Sequence, residues 1–135
     1  MKHLRAKIQK TNYWYIQKDD FYIKEVTSIP ISLAEIADAV AQPVNLDLQE
    51  KILTGMLFPV IIVNNTPEEY KLAVARISNA LPYDSTKKYL NIIGNQRTSI
   101  ARHNNYDLID CYVANSGIES LSIKFAYEEE HNGRL

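Results

Sequence analysis

The chain has 135 residues, enough for one hydrophobic core and too few for two. With 15 basic and 16 acidic residues the formal net charge is -1, so no overall field draws the molecule to nucleic acid or an anionic membrane. A single cysteine, Cys111, excludes an internal disulfide, and no apolar run approaches the length of a membrane span.

The N-terminal stretch "MKHLRAKIQK" is basic but lacks the organisation of a signal peptide, so a cytoplasmic protein with no membrane partner is expected. Residues 6–26 are rich in aromatic and β-branched residues around the polar break Lys18-Asp19-Asp20, the pattern of a β-hairpin. Tyr13, Trp14, Tyr15, Phe21 and Tyr22 either stack on bases beside Lys10, Lys18 and Lys24 or form cross-strand packing pairs, the commoner use. Ser32 and Glu35 make a capping box, and Leu33, Ile36, Ala37 and Val40 follow at helical spacing as far as Pro43. A second short helix is expected from Asp47, its cap, to Gly55, suited to a left-handed C-terminal turn.

"FPVIIV", 58–63, reads as a strand buried on both faces. Thr66, Pro67 and Glu69 open a helix placed over 66–81. Strands are expected at 88–93, 108–113 and 120–127, the last from the alternation of Leu121, Ile123 and Phe125, with a helix over 97–104. The chain therefore reads as one α/β (α+β) domain over 1–135. Its parts are a hairpin region at 1–27, a core at 28–114 carrying the 66–81 helical insertion, and a C-terminal strand and tail at 115–135. Cys111 falls among apolar strand residues and reads as a buried small hydrophobe.

The strand-to-helix corner Gly94-Asn95-Gln96-Arg97 is the strongest chemical signal. A strand that stops at glycine and enters a helix presents unpaired N–H groups beside the positive end of the helix dipole, which suits an anion. Arg97 offers a forked donor, Asn95 a cap, and Thr98 and Ser99 hydroxyls. The alternative is structural: Gly94 makes the turn, Asn95 caps it, and Arg97 pairs with a carboxylate such as Asp107 or Asp110.

The order "SIPISL", "AQP", a short helix, "GMLFPVIIV" and "YLNIIGNQRTSIARHNNYDLIDCYV" resembles the N-terminal domain of ParB proteins and the wider ParB/sulfiredoxin-like superfamily, over about residues 28–114. The resemblance implies a mixed sheet with helices and a nucleotide, with or without Mg2+, held at the corner. Gly94, Asn95, Gln96 and Arg97 would grip phosphate with help from Thr98 and Ser99, while Gln42, Pro43, Gly55, Phe58 and Pro59 would wall the pocket. It also implies a small phage-encoded type of protein. The chain departs from the pattern at Val44, where an arginine is expected, and at Phe58, where a glutamine is expected. Asn95 and Gln96 replace the sulfiredoxin cysteine, and Ile93 replaces the aspartate of the related serine kinases. Asn95 also stands where ParB has the glutamate used in CTP hydrolysis.

The expectation that follows is a non-enzymatic binding or regulatory protein with a nucleotide or phosphate site, or its remnant, acting on a nucleic-acid transaction or a host protein. Nucleic acid would be met through the basic N-terminal strand. The rival is a nucleotide-dependent enzyme, an NTPase, kinase or nuclease, using Asn95, Arg97 and a carboxylate from Asp107, Asp110 or Glu69. A third reading is a protein-interaction module with the aromatic hairpin as its adhesive element. His3, His103 and His131 show no metal-ligand spacing with Cys111, and no metal site is expected.

Overall fold

The computed structural model describes residues 1–131. Six strands, β1 (His3–Leu4), β4 (Ile29–Ser32), β5 (Ile36–Asp38), β6 (Val60–Asn64), β7 (Tyr89–Ile93) and β8 (Leu108–Val113), form a curled mixed sheet. Strand β8 runs parallel to β1 and β6 and antiparallel to β4; β7 is antiparallel to β6 and parallel to β5. Four helices surround it: α1 (Leu46–Gly55), α2 (Pro67–Val74), α3 (Asn95–His103) and α4 (Gly117–Glu130).

The all-apolar run at β6 lies where both faces are covered, as its composition requires. Val60 and Ile62 pack with Ala101 of α3, Ile109 and Cys111, while Ile61 and Val63 face Leu90, Tyr112 and the α4 side chains Ile123 and Tyr127. Each of the buried Val, Ile and Leu side chains among these contributes about 1.5–3 kcal/mol. Phe58 stacks on Tyr127 with ring centroids 4.0 Å apart, tying the approach to β6 to α4.

The hairpin is a sheet of its own, β2 (Lys10–Gln17) paired with β3 (Asp20–Thr27). Its turn residues Lys18 and Asp19 take positive φ values of 51° and 65°, so the two-residue loop has the I′ twist that suits the paired strands, without a glycine. Tyr13 is buried against the second face of the core, and its hydroxyl donates to Glu119 of α4.

Two expected elements change type. Residues 32–40 are not a helix: β4 ends at Ser32, Leu33–Glu35 make one 3-10 turn, and β5 follows. Ser32 accepts no capping bond, and the backbone finds partners in tertiary structure instead. Leu33 N–H donates to the Asp107 carbonyl, Arg102 donates to the carbonyls of Leu33 and Ile36, and β5 pairs with β7. A short helix gains little by itself, so those partners decide the outcome.

Residues 120–127 are helix, not strand. The alternation of Leu121, Ile123 and Phe125 misleads, because Ser120, Ile123 and Tyr127 are the buried positions, at helical spacing. Ser116 caps α4 by accepting from Glu119 N–H, and this Ser-Gly-Ile-Glu capping box is the signal that marks the helix start.

Three boundaries also move. Helix α2 ends at Val74, short of 81. Asn45, not Asp47, caps α1, accepting from the N–H groups of Asp47 and Leu48, and Gly55 closes the helix without a left-handed turn. Helix α3 begins at Asn95, with Gly94 as its N-cap.

Candidate functional site

Gly94 has φ 118° and ψ 35°, a backbone that bends β7 directly into α3. A Cβ there would stand 3.1 Å from Val60 Cγ2 and 3.3 Å from the Arg97 guanidinium carbon, so the missing side chain also makes room for Arg97 to fold back across the corner. Arg97 Nη1 donates to the carbonyls of Phe58 at 2.7 Å and Pro59 at 2.9 Å, fastening α3 to the start of β6. Gln96 fastens the other side. Its Nε2 donates to the Pro43 carbonyl and the Gln42 amide oxygen, and its Oε1 accepts from Asn45 N–H.

Thr98 is buried within a polar network, donating to Asp38 Oδ1 and accepting from Asn91 Nδ2. Arg102 completes the network with an ion pair to Asp38 Oδ2 at 3.2 Å. Asn95 is the first helical residue, not the cap, and its amide oxygen is buried without a partner. Ser99 is half-buried in the first turn of α3. No side chain caps α3, so the N–H groups of Asn95, Gln96 and Arg97 keep their donor capacity.

The structure brings Gln96, Arg97, Gly55 and Phe58 together along a groove of about 370 Å³ between α1 and α3, completed by Leu48, Lys51, Ile52, Met56 and Leu57. Lys51 and Arg97 are its cationic lining groups; the rest is chiefly apolar. Gln42 and Pro43 stand behind Gln96, and Pro59 behind Arg97, bonded to those side chains and not lining the groove. The carboxylates considered for an enzymatic role lie elsewhere. Glu69 Oε2 accepts from Gly117 N–H, Asp107 Oδ2 from the Lys2 backbone nitrogen, and Asp110 from Ala6 N–H, Gln9 and His3. Among the described residues no three His, Cys, Asp or Glu side chains gather to hold a metal.

Asp110 belongs to a polar cluster that sequence spacing did not reveal, because its partners come from more than 100 positions away. Burial pushes its carboxyl up, but hydrogen bonds from Ala6 N–H, Gln9 and His3, together with the charge of His3, outweigh burial and hold it below the usual carboxylate value. Burial pushes the Cys111 thiol well up, so it stays protonated and unreactive at neutral pH.

An exposed apolar surface lies at the hairpin. Trp14 pairs with Ile23 and Ile16 with Phe21 on one face, and these four side chains are 59% to 69% exposed. Alongside runs α4, whose Ile118 and Phe125 are 77% and 62% exposed. Two adjoining grooves of about 500 and 350 Å³ lie between hairpin and helix, sharing Trp14 and Ser122. Glu129 and Glu130 line one and Glu119 the other, and among the described residues no lysine or arginine lines either.

In comparisons with family models and with curated proteins, the chain matches neither a family model nor a curated relative.

Proposed function

We propose that the protein is a binding module that docks a segment of a partner protein, an amphipathic stretch with apolar anchors and basic flanks, in the trough between the β2–β3 hairpin and α4. The observation that carries this reading is the display of Trp14, Ile16, Phe21 and Ile23 on one face beside Ile118 and Phe125. Exposed apolar surface arranged this way is costly in water and marks interaction sites on folded proteins. The carboxylates at the C-terminal end of α4 and the negative end of its dipole favour a cationic partner there.

On this reading the ParB-like corner is a remnant whose groups have become structural ties, as the bonds of Arg97, Gln96 and Thr98 support. A second reading keeps that corner as a phosphate or nucleotide site. It is favoured by the uncapped start of α3 and by Lys51 and Arg97 flanking the α1–α3 groove.

Trp14 is the only tryptophan and sits where the two grooves meet, so its fluorescence reports on both. Titration with a helical leucine-lysine peptide of about 18 residues, five turns long, is expected to give a saturable blue shift. A leucine-glutamate peptide should give none, and Phe125→Ser should weaken the response. An equal response to both peptides, or to neither, would overturn the docking reading. Thermal shift with ATP, CTP and inorganic phosphate tests the corner separately.

A further inference from the structure

The hairpin has an edge as well as a face. Among the described residues β3 pairs with β2 alone, so its outer edge carries unpaired backbone donors and acceptors. Gln17 and Asp20 close the two-residue turn, and the antiparallel alternation then aims the N–H and C=O groups of Phe21 and Ile23 away from β2. An edge of this kind is completed by one more strand.

We propose that the added strand is β3 of a second copy, paired antiparallel about a two-fold axis at Tyr22. A symmetric pair must match residues on the same face, so the register shifts only in steps that keep face to face. With Tyr22 opposite Tyr22, Phe21 faces Ile23 of the second copy and Asp20 faces its Lys24. Within the five paired residues, 20 to 24, every apolar group then meets an apolar group and both charges meet their opposites, while just beyond them Glu25 lies beside Asp19 of the turn. Shifting the axis one residue towards Ile23 places Phe21 against Glu25. Moving it to Lys24 sets lysine against lysine, and moving it to Phe21 leaves only residues 20 to 22 of the two β3 strands overlapping.

The outward groups of Phe21 and Ile23 fall at hydrogen-bonded positions in the favoured register, and Tyr22 falls at the close pair between them. Its ring is already stacked on Tyr15, with centroids 5.3 Å apart, and Lys24 lies 4.5 Å over the Tyr15 ring, so both side chains are held in place before pairing. The result is a four-stranded sheet that doubles the apolar face. A two-stranded ribbon is marginal by itself, and two more strands strengthen it.

Sedimentation of the whole chain and of charge variants tests the pairing. The wild type is expected to dimerise reversibly. Asp20→Lys and Lys24→Asp each set two like-charge pairs in the seam and should raise the dissociation constant about tenfold or more. An equimolar mixture of the two variants should form a heterodimer, since one copy then presents lysines at both positions and the other aspartates. The double variant Asp20→Lys/Lys24→Asp should dimerise as the wild type does.

Circular dichroism checks that each variant folds, and the mixture and the double variant show that lost dimerisation is electrostatic. A wild type that stays monomeric up to millimolar concentration would overturn the proposal, as would a dimer indifferent to both charge reversals or a mixture that fails to associate. The pairing uses the edge of the hairpin and the docking reading uses its face. A monomer that still answers the basic peptide loses only the dimer, and a dimer that ignores the peptide loses only the docking site.

Discussion

Gly94 does two things that no other residue does at its position: it holds φ at 118°, and it leaves open the space that the Arg97 guanidinium crosses. Gly94→Ala is therefore expected to cost about 1–2 kcal/mol from the left-handed backbone alone, with the contact to Val60 adding to it. Chemical denaturation should read this as a lower midpoint at unchanged slope.

Arg97→Ala removes two bonds from a cationic donor to the Phe58 and Pro59 carbonyls, a loss of about 2 kcal/mol. A phosphate-binding test on that variant must consequently be read beside its stability. At Asp110 the sign is set by the depressed carboxyl. Its stabilisation is present above the unfolded value of about 3.9 and is lost as pH falls below that value through the folded one. Unfolding measured against pH should show a fall on the acid side that Asp110→Asn flattens. An unchanged acid limb in that variant would remove Asp110 from the account.

At the scale of elements, the two serines that open capping boxes behave differently. Ser116 caps α4 and Ser32 caps nothing, so Ser116→Ala should cost about 1 kcal/mol while Ser32→Ala stays within about 0.5 kcal/mol. Equal losses at both positions would contradict the assignment.

The contrast shows what local pattern can and cannot read. The hairpin, β6, β7, β8 and the helix after Thr66 are legible because composition, turn chemistry and caps agree with their tertiary surroundings. The 32–40 segment is misread because its partners, Asp107, Arg102 and β7, lie 50 or more positions away in sequence. Helix α4 is misread because period two and period 3.6 share Ile123, and the deciding residue, Tyr127, is buried against partners such as Phe58 that lie far away in sequence. At the corner the glycine-to-helix turn is legible. That Arg97 turns back onto β6 is not, since its acceptors are main-chain carbonyls that every sequence possesses.

For the whole molecule, the consequence of this packing is a gradient of stability running outward from β6. Val60 to Val63 touch both core clusters, so opening them means losing both layers at once. The hairpin is joined to the rest through buried Thr11 and Tyr13, the Tyr13–Glu119 bond and the packing of Tyr15 and Val26, while Trp14, Ile16, Phe21 and Ile23 on its other face meet water. Such a unit opens without unfolding the core.

In the Asp20→Lys variant, which removes the proposed pairing, amide exchange at Val60 to Val63 and Ile109 to Tyr112 should follow global unfolding and accelerate with denaturant. Exchange along β3 should be faster and nearly independent of denaturant, as local opening requires. In the wild type the N–H groups of Phe21 and Ile23 should gain protection with rising protein concentration, because these are the groups the second copy covers. If β3 exchanges as slowly as β6 in the variant, the hairpin belongs to the cooperative core. Its apolar face would then be held rigid before any partner arrives.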